Sequence, residues 1–99
     1  MAAPIPGRHA ATVLLVNNYP QMRKELRTLL QDDADLTVVG EASDGREALE
    51  QVRTLSPDVV VMCLTMPNMN GIEATRRILA EAPDTRVVAL SIHAEKRFV

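Results

Sequence analysis

Asp58-Val59-Val60-Val61-Met62-Cys63-Leu64, followed by Thr65-Met66-Pro67-Asn68-Met69-Asn70-Gly71, is the stretch whose reading decides the fold. The first half is a continuous apolar run of strand length, rich in Val. Such a run suits a strand buried on both faces, as in a parallel sheet covered by helices. The second half is turn chemistry, with a Pro, two Asn and a Gly close together. A helical pattern starts straight after it. The whole reads as a central strand that ends in a loop and feeds a helix. In open α/β sheets, ligands bind just past the carboxyl ends of such strands, which is where Cys63 and Thr65 fall.

Working outward, Thr12-Val13-Leu14-Leu15-Val16 is a second buried strand, ended by Asn17-Asn18-Tyr19-Pro20. Asn18 or Tyr19 is expected to cap the next helix, with Pro20 in its first turn. Met22, Leu26, Leu29 and Leu30 form the apolar stripe of that helix. Leu36 to Glu41 is a shorter strand with partial alternation, suited to an edge. Asp44 starts the second helix with Glu47 as its capping-box partner. Ala48, Leu49, Val52 and Leu55 form its stripe, and Ser56-Pro57 ends it. Asn70 is expected to cap a third helix with Ile72, Thr75, Ile78, Leu79 and Ala82 facing inward. Arg86 to Ser91 is a fourth strand, and Ile92 to Val99 reads as a loop and the first turn of a further helix. Met1 to Ala11, with Pro4, Pro6 and Gly7, reads as a mobile leader. The order βαβαβαβ predicts parallel strands joined by right-handed crossovers.

Composition narrows the function. The 99 residues suffice for one small domain, and 46% hydrophobic content supports a core. With 2% aromatics that core must be aliphatic. A net charge of −2 gives no general attraction to nucleic acid. One Cys excludes an intrachain disulfide and a Cys-only metal site. No apolar run reaches the roughly 18 residues of a membrane span, and no secretory h-region follows Met1. A cytoplasmic setting is the expectation. His9 and His93 have no metal-ligand spacing, and Met62, Met66 and Met69 read as packing residues.

From about Thr12 to Val99 the chain resembles the receiver domain of two-component response regulators, above all the subgroup fused to a C-terminal helix-turn-helix. The residues that carry the resemblance are Val13 to Pro20, Val39-Gly40-Glu41-Ala42-Ser43-Asp44-Gly45, Pro57 to Met62, Met66-Pro67-Asn68-Met69-Asn70-Gly71-Ile72-Glu73-Ala74, and Val87 to Ser91. The resemblance implies a flavodoxin-like doubly wound parallel sheet of order 2-1-3-4-5. This chain would stop after the fourth strand and the start of the fourth helix. Residues 12–99 would then lack the family's last strand, last helix and phosphate-binding Lys.

The family's chemistry is phosphoryl transfer to an Asp at the end of the third strand, with Mg²⁺ held by that Asp, an acid pair after the first strand and one backbone carbonyl. Carried over, the acceptor position falls on Cys63 and the acid pair on Asn17 and Asn18. The carbonyl falls on Thr65, the loop Pro and Gly on Pro67 and Gly71, and the hydroxyl switch on Ser91. Two amides and a thiol therefore stand where the resemblance calls for three carboxylates. Mg²⁺ prefers anionic oxygen ligands, and a thiol is soft. The expectation is a signalling and interaction module that is not an enzyme and does not work as a phospho-switch. No cofactor is expected, and Mg²⁺ only if the pocket still functions. The alternative is a residual phosphoacceptor or thiol redox switch at Cys63. Expected partners are a protein or a second copy, through the exposed sheet edge and first helix. A histidine kinase enters only by analogy with the family, and neither nucleic acid nor membrane is expected.

Overall fold

The structure is a computed structural model that describes residues 10–63 and 71–90. Its elements are β1 (Ala11–Val16), α1 (Pro20–Gln31), β2 (Leu36–Ala42), α2 (Gly45–Leu55), β3 (Val59–Cys63), α3 (Gly71–Glu81) and β4 (Arg86–Leu90). Asn70, expected to cap α3, lies outside the described residues. The four strands form one parallel sheet of order β2-β1-β3-β4. The chain steps from β1 to β2 in one direction and from β2 to β3 in the other. Right-handed crossovers then put α1 on one face and α2 and α3 on the opposite face. In keeping with this, α1 touches β1 and β2 and no other element among the described residues, whereas α2 and α3 touch each other.

The central strands read as expected. Val13, Leu14, Leu15 and Val16 are all buried, as are Val60, Met62 and Cys63. Leu14, Val16, Val60 and Met62 pack with Ala48, Leu49 and Val52 of α2 and with Ala74 and Ile78 of α3. Gly40 of β2 lets α2 approach closely, since a Cβ there would lie 2.7 Å from Leu55 Cδ1. At the amino end of the sheet Asp58 ties β1 to β3. Its carboxylate accepts from the Thr12 N–H and hydroxyl at 2.8 and 3.1 Å. Its carbonyl accepts the Arg86 N–H of β4 at 3.0 Å.

The helix ends divide. Asp44 caps α2 by accepting the Glu47 N–H at 2.8 Å, and Glu47 reaches back to the Ser43 N–H at 2.6 Å. The Asp44 half of the predicted box is as expected, whereas the return contact from Glu47 goes to the residue before the cap, taking the Ser43 N–H and hydroxyl. Ser56 ends α2 in the left-handed region at φ 47, just before Pro57. At α1 the cap position is Tyr19, but no side chain caps the helix from it. Two apolar stripes need correction. In α3 the inward row is Gly71, Ala74 and Ile78, continued by Ala82. Ile72 and Leu79 lie off that row and are 62% and 43% exposed. Helical phase explains this: a row at i, i+3, i+7, i+11 starting from Gly71 turns both of them to the flank. In α1, Met22, Leu26 and Leu30 are half-buried, and Leu29 is turned out at 70% exposure.

Ion pairs hold α1 to β2. Glu41 takes Arg23 Nε on one carboxylate oxygen at 2.9 Å and Arg27 Nε on the other at 2.8 Å. These two hydrogen bonds, Arg27's first, hold the Glu41 carboxyl below its ordinary value of 4.5. A lowered folded-state pKa adds stability above the unfolded value, and that stability is lost as pH falls through the folded value. Glu41→Gln should therefore destabilise the chain at neutral pH, by about 1 kcal/mol or less per partly exposed pair. The gap between the two proteins should close as pH falls below 4.5. Urea unfolding followed across that range checks it. The same method checks the inward row of α3. Ile78→Ala should cost about 2–5 kcal/mol, and Ile72→Ala no more than about 0.5 kcal/mol.

Candidate functional site

The candidate site is built at the carboxyl end of the sheet, where β1 and β3 lie side by side. Val16 pairs with Met62, so one further step along each strand brings Asn17 alongside Cys63. Both are buried, at 1% and 3% exposure. β1 and β3 are the central strands and place these two side chains rigidly. By contrast, a hollow of about 330 Å³ that includes Ser56, Pro57, Asp58, Ala82 and Asp84 lies at the amino end of β3. That is the wrong end of a parallel sheet for family-type chemistry.

Asn17 is committed to the loop that it opens. Its N–H donates to the Ala42 carbonyl at 3.0 Å, which continues the β1–β2 ladder. Its Oδ1 accepts the Tyr19 N–H at 2.8 Å, a local side-chain turn of the kind Asn favours. Its carbonyl accepts from the Arg23 guanidinium. Asn17 is therefore the loop hydrogen-bonder, and the first turn of α1 is left without a side-chain cap. Asn18 differs, because its Oδ1 is buried without a hydrogen-bond partner among the described residues. Gly71 is buried where it opens α3. Thr65, Pro67 and Ser91 lie outside the described residues.

The donor chemistry does not suit Mg²⁺. Asn17 and Asn18 supply neutral oxygens, one of them already taken by a backbone N–H. Cys63 supplies a soft sulfur in an apolar cluster. A hard dication bound by carboxylates and water finds no negative charge in this set. Among the described residues, no group of three or more His, Cys, Asp or Glu side chains could hold a metal ion.

Sequence reasoning missed the support behind the site. Arg23 bridges Glu41 at the end of β2 and the Asn17 carbonyl at the end of β1. A signal was available: Arg23 and Arg27 sit four apart on one helix, and an acid ends the neighbouring edge strand.

The comparisons with known proteins agree with this architecture. The sequence profile of the response regulator receiver domain matches residues 13–99. Response regulator GacA of Pseudomonas viridiflava is 42% identical over 86 residues, which is 87% of this chain and 40% of that protein. Response regulator UvrY of Escherichia coli is 41% identical over 83 residues, 84% of this chain and 38% of its own length. The chain thus spans about two fifths of the length of these relatives. Among solved structures, the response regulator domain of Thermotoga maritima CheB superposes with TM-score 0.80 at 40% identity, covering 89% of this chain and 65% of that one. A LuxR-family two-component response regulator from Aurantimonas gives TM-score 0.81 at 37% identity, covering 90% and 64%. The flavodoxin-like sheet, the position of β1 and β3, and the match over nearly the whole chain have one reading: this chain belongs to the response regulator receiver domain family.

Proposed function

We propose that this chain is a pseudo-receiver: a signalling and interaction module of a two-component response regulator that does not accept a phosphoryl group. The observation that carries the reading is the set of two amides and a thiol at the carboxyl end of β1 and β3, with Asn17 and Cys63 buried and Asn18 half-buried. By likeness to the family, Asn17 and Asn18 fall at the acid-pair positions and Cys63 at the acceptor position. Receiver phosphorylation puts charge onto an oxygen that a cation must neutralise. Here no carboxylate draws in that cation, and the side chain at the acceptor position is a thiol. On this reading neither Mg²⁺ nor another cofactor is needed, and the domain has no catalytic role of its own. Among the described residues no helix is long and apolar enough to cross a membrane, and a cytoplasmic setting is part of the proposal.

Signals then reach this domain through protein contacts. The surfaces we assign to them are the side of β4 away from β3, which pairs with no strand among the described residues, and the exposed side chains Val88, at 49%, and Leu29 on the flank of α1, at 70%. An unpaired strand edge favours pairing with another chain. The partner is a protein or a second copy of this chain, and a histidine kinase is named only by analogy with the family. A redox role for Cys63 has less support, since its burial shields the thiol from peroxide.

Intact mass spectrometry after incubation with Mg²⁺ and a small acyl phosphate tests the reading. The unaltered chain should gain no phosphoryl group. A phosphoryl adduct on the unaltered chain would overturn the proposal. The variant Asn17→Asp, Asn18→Asp, Cys63→Asp, run alongside, shows whether these three positions alone account for the silence.

A further inference from the structure

We infer that Arg23 is the positioning residue of the β1–α1 loop, holding Asn17 in place from the end of β2, so that a protein cation orders this loop without a metal. The inference rests on the pseudo-receiver reading for its last clause only.

The geometry is a relay of three links. Glu41 stands near the carboxyl end of β2, fixed by the β1–β2 ladder through the pair Leu15 and Glu41. Its carboxylate fixes the Arg23 guanidinium through Nε at 2.9 Å. The same guanidinium uses Nη1 to donate to the Asn17 carbonyl. Arg23 is well shielded, with its side chain 17% exposed. Charge-assisted bonds from a planar fork to two fixed acceptors set direction as well as strength. Arg27 takes the second Glu41 oxygen at 2.8 Å and so keeps that carboxylate from rotating.

The loop needs such support. In a receiver with an acid pair, carboxylates after the first strand converge on a cation. Here those positions carry amides. Among the described residues, the Asn17 side chain orders the Tyr19 N–H, the Asn18 Oδ1 has no hydrogen-bond partner, and α1 begins without a side-chain cap. Arg23 comes from the helix side and meets the backbone carbonyl of Asn17, an atom that does not depend on the identity of the side chain. Its role is to hold the loop and the first turn of α1 to the sheet. It touches no substrate and is not a catalytic residue.

Amide hydrogen exchange on the full chain, read residue by residue, tests this. Arg23→Met keeps the aliphatic stem and removes every donor. It should speed exchange about tenfold or more, the scale of a lost charged hydrogen bond, at the Tyr19 amide, which donates to Asn17 Oδ1, and at the residue-23 amide, which donates to the Tyr19 carbonyl. Exchange in β3 and α3 should be unchanged. Glu41→Gln should give a smaller change at the same amides, since Arg23 keeps its bond to Asn17. Millimolar Mg²⁺ should not slow exchange in the unaltered chain. Unchanged loop exchange in Arg23→Met overturns the inference, and so does equal acceleration in every element, which would mark a merely structural residue. Protection of the unaltered loop by Mg²⁺ overturns the claim that a protein cation is sufficient. The phosphoryl-uptake assay reads the pocket and this one the loop, so either idea can fail alone.

Discussion

Everything in this fold depends on β1 being paired along both edges and buried on both faces. Its residues Val13 to Val16 have no polar side chain and almost no exposure. Parallel pairing on either side fixes their register to β2 and to β3. A strand held this way delivers its last residue to one place. That residue is followed by Asn17, buried beside the end of β3, where Cys63 completes the second central strand. Hydrophobic burial builds the position, and the side chain standing there decides the chemistry.

At that position this chain carries an amide and a thiol, Asn17 and Cys63. An acidic pocket is unstable without its cation, because like charges held close repel and bury poorly. Neutral amides remove that cost. Asn17 turns the chain through its own side chain, and Arg23 binds the loop carbonyl, with Glu41 balancing the guanidinium. The family's fold is kept, and on the proposed reading the electrostatic reason for binding a metal is absent. On the proposed reading, the domain is read through the β4 side of the sheet and the turned-out flank of α1.

Much of this was legible in the sequence, for particular physical reasons. The Val-rich runs at Val13 and Val59 could only be buried strands, and their alternation with helical stripes dictated parallel βαβ units. Asp44 and Glu47 carried their own capping chemistry. Ile72 and Leu79 misled, because an apolar residue in a helix need not face the core, and the small residues Gly71 and Ala74 gave the close approach instead. Leu29 misled for the same reason. At the site, Asn17, Asn18 and Cys63 could be placed by motif. The Asn17 turn is local, of a kind Asn favours. That Arg23 reaches the Asn17 carbonyl depends on the docking of α1 against β2, which the spacing of Arg23 and Arg27 opposite Glu41 hints at without fixing.

The central claim is that the site has lost its affinity for Mg²⁺ because its charge has gone. Calorimetric titration of the unaltered chain with Mg²⁺, beside the variant with Asp at positions 17, 18 and 63, tests it most directly. The account predicts no binding heat in the unaltered chain up to millimolar Mg²⁺ and saturable binding once the three carboxylates are present. Saturable Mg²⁺ binding by the unaltered chain would contradict it.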